Sequence, residues 1–416
     1  DYAAERVEEL DLQQATAARH AQFFGRTGNE IARQYERRAN AKSLRRLQLE
    51  GANLAAVHRR FRSLDPTLAS MAVLAMDPVL GSRGPMDTYI QLLDDIERCT
   101  RNLPHTLRAE IHIRRGRVRI VVGRPGPARE DLDAAMELVQ GGELIGREGR
   151  IRQLLGLLEL IEGQPRAATE QLQKARALLR EAGMEALLGS TLRLLSEVQV
   201  HQGRVDDGEA LLLEALEAHE TAQDPLRAAH AYTSLGNLYM HQGRNPLAKE
   251  ALRRASHTYR EQGRRRYLAI TQGSMGMLYH RAGRLDTAHK LYDHAIRGLR
   301  AFGAIREETY YLTFLCALSC TQQSPRDADK ALERLRILQP QVRDRVVAVL
   351  LALCESHRSA LALRLGQLSA TQAQERIQAG RNTATQAGAE GAPSWADRNE
   401  DVRFVLDLLP SGTEGS

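Results

Sequence analysis

Small and apolar residues return at a fixed period along most of this chain. Gly123, Gly163, Gly203, Gly243 and Gly283 stand at equal steps (163 − 123 = 40). Seven residues before each comes Gly116, Gly156, Ser196, Gly236 or Gly276. Five after each comes Ala128, Ala168, Gly208, Ala248 or Ala288; twelve after comes Ala135, Ala175, Ala215, Ala255 or Ala295. Leu132, Leu172, Leu212, Leu252 and Tyr292 lie three before that last column. Columns held in register over five copies predict a repeat array. Within each copy the apolar spacing of three and four predicts two helices. The first ends near the rung glycine, which supplies a left-handed C-cap, and Gly183, Gly263 and Gly303 close the second. Small residues at the packing columns let paired backbones approach. One pair cannot bury its own apolar face, so neighbours must stack. The expected fold is all-α, a right-handed superhelical solenoid of antiparallel helix pairs.

The pattern frays outward. Residues 105–342 hold the repeats, five clear and a sixth degenerate, the sixth marked by Cys316, Gln323, Ala328 and Leu332. A degenerate seventh is expected over 343–388 around Gly366. Residues 64–104 read as a degenerate pair, with Pro66 and Gly84-Pro85 as punctuation and Ile90, Leu93 and Ile96 as a weak stripe. Residues 1–63 leave the ladder. They read as two helices, about 3–36 and 41–63, with Leu47, Leu54, Val57 and Phe61 on one stripe. In 389–416 a linker, a capping helix and a tail are expected: Asp397 and Glu400 form a capping-box pattern ahead of Val402, Val405, Leu406 and Leu409.

Composition agrees. The 416 residues are 43% hydrophobic but only 4% aromatic, which favours helices over sheets. No run reaches the roughly 18–20 apolar residues that cross a bilayer, so no membrane partner is expected. Four cysteines (Cys99, Cys316, Cys320, Cys354) are too few for a disulfide scaffold and point to a reducing cytoplasm. The net charge of +6 is modest for this length and reads as solubility before nucleic-acid affinity. The chain opens at Asp1, as an excerpt of a longer polypeptide would.

Two resemblances follow from particular phrases. LGNLYMHQGR (235–244) and MGMLYHRAGR (275–284), with Ala248, Leu252, Ala255 and with Ala288, Tyr292, Ala295, resemble the tetratricopeptide repeat. Two departures stand out. The aromatic column holds Arg119, Glu159 and Gln199 in earlier copies, and a period of 40 exceeds the usual 34. The extra residues are expected between the second helix and the next first helix. YAAERVEEL and ARHAQFF (2–10, 18–24) with LQLEGANLAAV (47–57) resemble the region after the winged-helix part of bacterial signal-transduction ATPases with numerous domains. That resemblance implies an ATPase upstream of residue 1 and a sensor role for the repeats.

No catalytic residue or cofactor site is expected. GGELIGRE (141–148) spaces Gly141 and Gly146 like a phosphate loop, but Arg147-Glu148 stands where Lys-Ser/Thr is needed. Cys316, Cys320, Cys354 and His357 form an outside zinc possibility, against the simpler reading of core packing. His201 and His241 share a column without a recurring third ligand, and Asp94-Asp95 and Asp206-Asp207 read as solvated faces. A basic patch, Arg253, Arg254 and Arg264, Arg265, Arg266, reads either as an anion-docking surface or as a solubilising face, with the last three in a loop. First helices should line the concave side. Their positions free of structural duty are Arg193, Glu197, His230, Thr233, Asn237, Met240, His241, Met277, His280 and Arg281. That mixture suits a peptide or protein partner laid along the groove, or else is ordinary solvent-facing surface. The expected function is a non-enzymatic partner- or inducer-binding arm; the alternatives are a free-standing adaptor and, less so, a nucleic-acid binder.

Overall fold

A computed structural model describes residues 13–38, 41–83, 86–99, 103–139, 144–341 and 345–389. The expected linker, capping helix and tail therefore lie outside the described residues, as do the phrase 2–10, Gly84-Pro85 and Gly141. All regular structure among the described residues is helical.

The chain divides into two compact units. One comprises Asp1–Glu159, Arg166–Leu195 and Glu217–Pro225; the other comprises Leu160–Pro165, Ser196–Leu216 and Leu226–Ser416.

The first unit opens with α1 (Gln13–Arg38) and α2 (Ala41–Phe61). Leu47, Leu54 and Val57 are buried, with Phe61 packed at the edge of the same core. The stretch read as a degenerate pair is instead three helices, α3 (Pro66–Ala75), α4 (Asp77–Arg83) and α5 (Met86–Cys99). Pro78 explains the break, because it lacks the N–H that would continue the hydrogen-bond ladder of α3 and its ring clashes with the preceding turn. α3 is capped by Asp65, whose side chain accepts from the Leu68 N–H. Ile90, Leu93 and Ile96 of α5 join the buried core.

The repeats follow as α6 (His105–Val121), α7 (Pro125–Val139), α8 (Ile145–Ile161), α9 (Pro165–Glu181), α10 (Glu185–His201) and α11 (Val205–Thr221). They continue as α12 (Pro225–His241), α13 (Asn245–Glu261), α14 (Arg265–Arg281), α15 (Leu285–Ala301), α16 (Ile305–Thr321) and α17 (Pro325–Leu338). α18 (Arg345–Arg364) and α19 (Ala370–Ala389) form the last described pair. From α8 to α16 each helix has 17 residues, and a three-residue turn separates each from the next. The long period is thus absorbed by the helices. From α8 to α17 no longer loop separates one pair from the next, which corrects the sequence expectation over that span.

The turns explain the ladder. Gly243 has φ +71° and Gly283 φ +72°. This left-handed residue lets the following N–H reach back over the helix end: Arg244 donates to Tyr239 O at 2.8 Å and Arg284 to Tyr279 O at 2.9 Å. Gln223 (φ 50°) and Gln323 (φ 55°) adopt the same conformation without glycine's freedom. A non-glycine residue costs about 1 kcal/mol there. Gln323→Gly is therefore expected to raise stability by about 0.5–1 kcal/mol. An unchanged or lower melting temperature would show that the turn carries no such strain.

The close-approach column behaves as its sizes predict. A Cβ on Gly156 would stand 2.6 Å from Leu172 Cγ, one on Gly236 2.6 Å from Leu252 Cγ, and one on Gly276 2.8 Å from the Tyr292 ring. Ser196 is accommodated because its hydroxyl donates to Gly208 O at 2.7 Å.

Candidate functional site

The aromatic column meets the turn arginine where it holds tyrosine, and its polar residues make other contacts in the earlier copies. Arg244 lies 4.5 Å from the Tyr239 ring centre and Arg284 5.8 Å from that of Tyr279. In earlier copies Arg119 donates to Asp131 Oδ2 (2.9 Å) and to Pro127 O (3.2 Å), Glu159 accepts from Arg129 (2.9 Å), and Gln199 accepts from Arg204.

The predicted groove residues lie on α10, α12 and α14, but they divide by burial. Glu197 is exposed, while Arg193, His230, Thr233, Asn237, His241 and Arg281 are half-buried. Met240, Met277 and His280 are buried, which corrects their assignment as partner-facing. They sit at the flank of the apolar stripe, where the helix turns them into the packing. The His201 side chain lies outside the described set.

His230 and Thr233 are engaged within the second unit. The Tyr259 hydroxyl is 2.7 Å from His230 Nδ1 and 3.3 Å from Thr233 Oγ1, and the His230 ring meets Tyr267 edge-on with centres 4.5 Å apart. The Asn237 carboxamide oxygen is enclosed yet accepts no hydrogen bond from the described residues. An enclosed acceptor left unpaired carries a desolvation cost of about 1–3 kcal/mol.

His280 lies 3.3 Å from the Tyr292 hydroxyl. Burial, reinforced by His357 and Arg281, pushes its pKa down to about 4. Below about pH 6.5 the unfolded chain binds a proton that the folded one refuses. Stability is therefore full above 6.5 and lost as the pH falls toward 4, by on the order of 3 kcal/mol. His280→Gln is expected to flatten melting temperature against pH over that window, and an unchanged slope would contradict this assignment.

Cys316, Cys320 and Cys354 are free and buried. The Cys316 thiol lies 3.9 Å from Ala328 O, and Cys354 donates toward Thr313 O at the same distance. The Cys320 contact lowers the Cys316 pKa, but hydrogen bonding to Cys354 and burial raise it further, for a net rise. Hydrogen bonding to Cys316 and burial push the Cys320 thiol up as well. Such thiols are poor nucleophiles and poor thiolate ligands. His357 is near enough to His280 to depress it. No group of three or more His, Cys, Asp or Glu among the described residues is placed to hold a metal.

In the basic patch Arg253 and Arg254 are exposed as expected, but both bind Glu250 at 2.9 Å. Arg264–Arg266 do not form a loop. Arg264 is the buried cap residue of α14, whose first two residues are Arg265 and Arg266. Arg266 pairs with Glu307 at 2.5 Å. Arg147 and Glu148, at the phosphate-loop lookalike, lie in the first turn of α8, with Glu148 paired to Arg152 at 2.7 Å.

The sequence reading passed over two ionic clusters in the first unit, both built on α6. On one face His112, Arg115 and Arg119 converge on Asp131 of α7, which is 2% exposed. His112 Nδ1 is 3.0 Å from its carboxylate, and Arg115 and Arg119 donate at 2.6 and 2.9 Å. Asp94, read as solvated, receives Arg115 at 2.8 Å and Arg119 at 3.3 Å. On the other face Glu110, Arg114 and Arg117 meet Asp77 of α4 and Arg147 and Arg150 of α8. Burial alone would raise the Glu110 pKa, but Arg114 and Arg150 overcome it and hold it at about 2. Asp77 is held low in the same way by Arg117 and Arg114. The available signal was RRGRVR (114–119) on a single helix, with 114/117 on one face and 115/119 on another.

A tetratricopeptide-repeat family model matches residues 227–301, the span of the two best-kept copies. No curated protein gives a significant match. Among solved structures, the chain is similar to a Rap protein complexed with competence and sporulation factor (TM-score 0.57, 14% identity, 82% of this chain and 99% of that one). It is also similar to a signal transduction ATPase with numerous domains carrying a tetratricopeptide repeat sensor, from Pyrococcus horikoshii (TM-score 0.53, 13% identity). That match covers 84% of this chain but only 55% of the archaeal one. A third is the apo quorum sensor NprR from B. thuringiensis (TM-score 0.51, 14% identity, 81% and 98% coverage). The fold is tetratricopeptide-like. At these identities the likeness concerns fold alone. No helix among the described residues is long and apolar enough to cross a membrane.

Proposed function

We propose that this chain binds a peptide or protein partner along the first-helix face of its second unit, without chemistry of its own, as the sensing arm of a bacterial signalling ATPase or transcriptional regulator. The observation that carries the reading is the enclosed, unpaired Asn237 acceptor, on a face where Glu197, His241 and Arg281 remain open to solvent in whole or part. Support for the arm comes from the phrases 18–24 and 47–57 and from the fold shared with an ATPase that carries such a sensor. Partner binding would act by favouring one packing of arm on ATPase over another, for which a few kcal/mol of differential affinity suffices.

The test is the reading frame preceding Asp1. A nucleotide-binding domain there supports the arm; its absence transfers the binding function to a free-standing adaptor. Nucleic-acid binding through 249–266 is disfavoured by Glu250 and Glu307, which occupy the arginines that phosphates would need.

A further inference from the structure

The chain's modest net charge hides its concentration. Residues 13–62 hold eleven Lys and Arg against three Glu, a net of +8 (11 − 3), whereas the whole chain carries +6. The remainder is therefore slightly acidic, at −2 (6 − 8). On α1, Arg19, Arg26 and Arg33 are exposed. Steps of seven return to nearly one face of a helix, drifting about 20° each, so these three line a stripe about 21 Å long. On α2, Lys42, Arg45 and Arg46 are exposed in the first turns and Arg59 and Arg60 in the last, with Arg62 just beyond. None of these nine makes an ion pair among the described residues. Two of the three acids are occupied by amides: Glu30 accepts from Gln34 at 3.1 Å and Glu50 from Asn53 at 2.8 Å. The Glu36 side chain lies outside the described set. Exposed arginines of the repeats differ: Arg253 and Arg254 bind Glu250, and Arg297 binds Asp293, all at 2.9 Å. Interspersed signs serve solubility there, whereas Lys42 stands three and four residues from Arg45 and Arg46, where like charges repel.

We infer that α1 and α2 bind the phosphate backbone of a nucleic-acid duplex, without reading its bases. A duplex presents a phosphate on each strand for about every 3.4 Å of its axis, so the α1 stripe alone runs past about six on each strand. An acidic peptide would have to be ordered along that length, at an entropic cost, while a duplex is already straight. An anionic membrane fits less well. The apolar face that an interfacial helix must bury, here Leu47, Leu54 and Val57 of α2, is already buried in the core. Among the described residues of α1 and α2, only Phe23 and Leu49 are large, apolar and exposed. The site belongs to the first unit and does not depend on the Asn237 face.

The test is fluorescence anisotropy of the full chain with labelled twenty-base-pair DNA and RNA duplexes, with polyglutamate and phosphatidylserine vesicles as competitors. Binding is expected at about 50 mM salt, with log affinity falling against log salt at a slope of about −2 or steeper. The duplex bound more tightly names the nucleic acid. Replacing all three stripe arginines (Arg19→Gln, Arg26→Gln, Arg33→Gln) should weaken binding by about fivefold or more and make the slope shallower. The melting temperature should hold, because no ion pair is lost. The matched triple in the other basic patch (Arg253→Gln, Arg254→Gln, Arg265→Gln) should weaken it less. If the α1 triple lowers the melting temperature, Arg45→Gln with Arg59→Gln on α2 takes its place under the same criteria. No binding at that salt, a shallower slope, a smaller loss in the α1 triple, or an equal loss in the matched triple would overturn the assignment. Displacement by polyglutamate or by vesicles at lower charge concentration than by unlabelled duplex would also overturn it, in favour of an acidic protein or a membrane. Partner binding at the Asn237 face would be unaffected by any of these failures.

Discussion

Asp131→Ala is expected to destabilise the first unit by about 3–5 kcal/mol. The carboxylate is 2% exposed and gathers His112, Arg115 and Arg119 from one face of α6. Arg115 is itself buried, so removing Asp131 leaves its charge enclosed with only the half-exposed Asp94 and Glu97 as partners. The cost comes from that stranded cation more than from the lost bonds. Thermal unfolding followed by circular dichroism checks it. A drop of only a degree or two would mean that water reaches the cluster and screens it. Acid gives a second readout. Asp77, Glu110 and Asp131 have folded pKa values below their usual range, so their contribution is present above about pH 4.5 and lost as the pH falls toward 2.

Gly236→Val carries the second large effect. Even a first added carbon would stand 2.6 and 2.7 Å from Leu252 Cγ and Cδ2, and Leu252 is fully buried on α13. α12 and α13 must separate or Leu252 must leave its rotamer, at a cost of about 3 kcal/mol. The contrast is Gly51, in the body of α2, where an added Cβ meets nothing within 4 Å. Gly51→Ala is expected to stabilise by about 0.5–1 kcal/mol. If both substitutions moved the melting temperature the same way, helix propensity and not interhelical contact would govern these glycines.

Two kinds of glycine, at Gly243 and at Gly236, show why so much of the fold was legible. Glycine at a left-handed turn and glycine at a close approach have no substitute of equal cost, so they recur in fixed columns. Helix length was misread because the second turn of each repeat is marked less regularly: Gly183, Gly263 and Gly303 hold it, but Gln223 takes the same conformation without the signal. Met240, Met277 and His280 were misplaced for a different reason. A helical period locates a face to within about one residue, and these three stand at its edge. The clusters on α6 left no periodic trace. Their partners on other helices are 12 to 40 residues apart in sequence, as in Arg119–Asp131 and Arg117–Asp77, and an arginine run resembles a solvated helix until those acids are placed beside it.

Photo-crosslinking in cells of the source organism tests the central claim most directly. A benzoylphenylalanine is placed in turn at His241 and Arg281 on the first-helix face, and at Arg253 and His257 on the second helix α13. The account predicts a discrete crosslinked partner from positions 241 and 281, absent from 253 and 257 and diminished by Asn237→Ala. The same partner captured equally from all four positions, or only from 253 and 257, would contradict it.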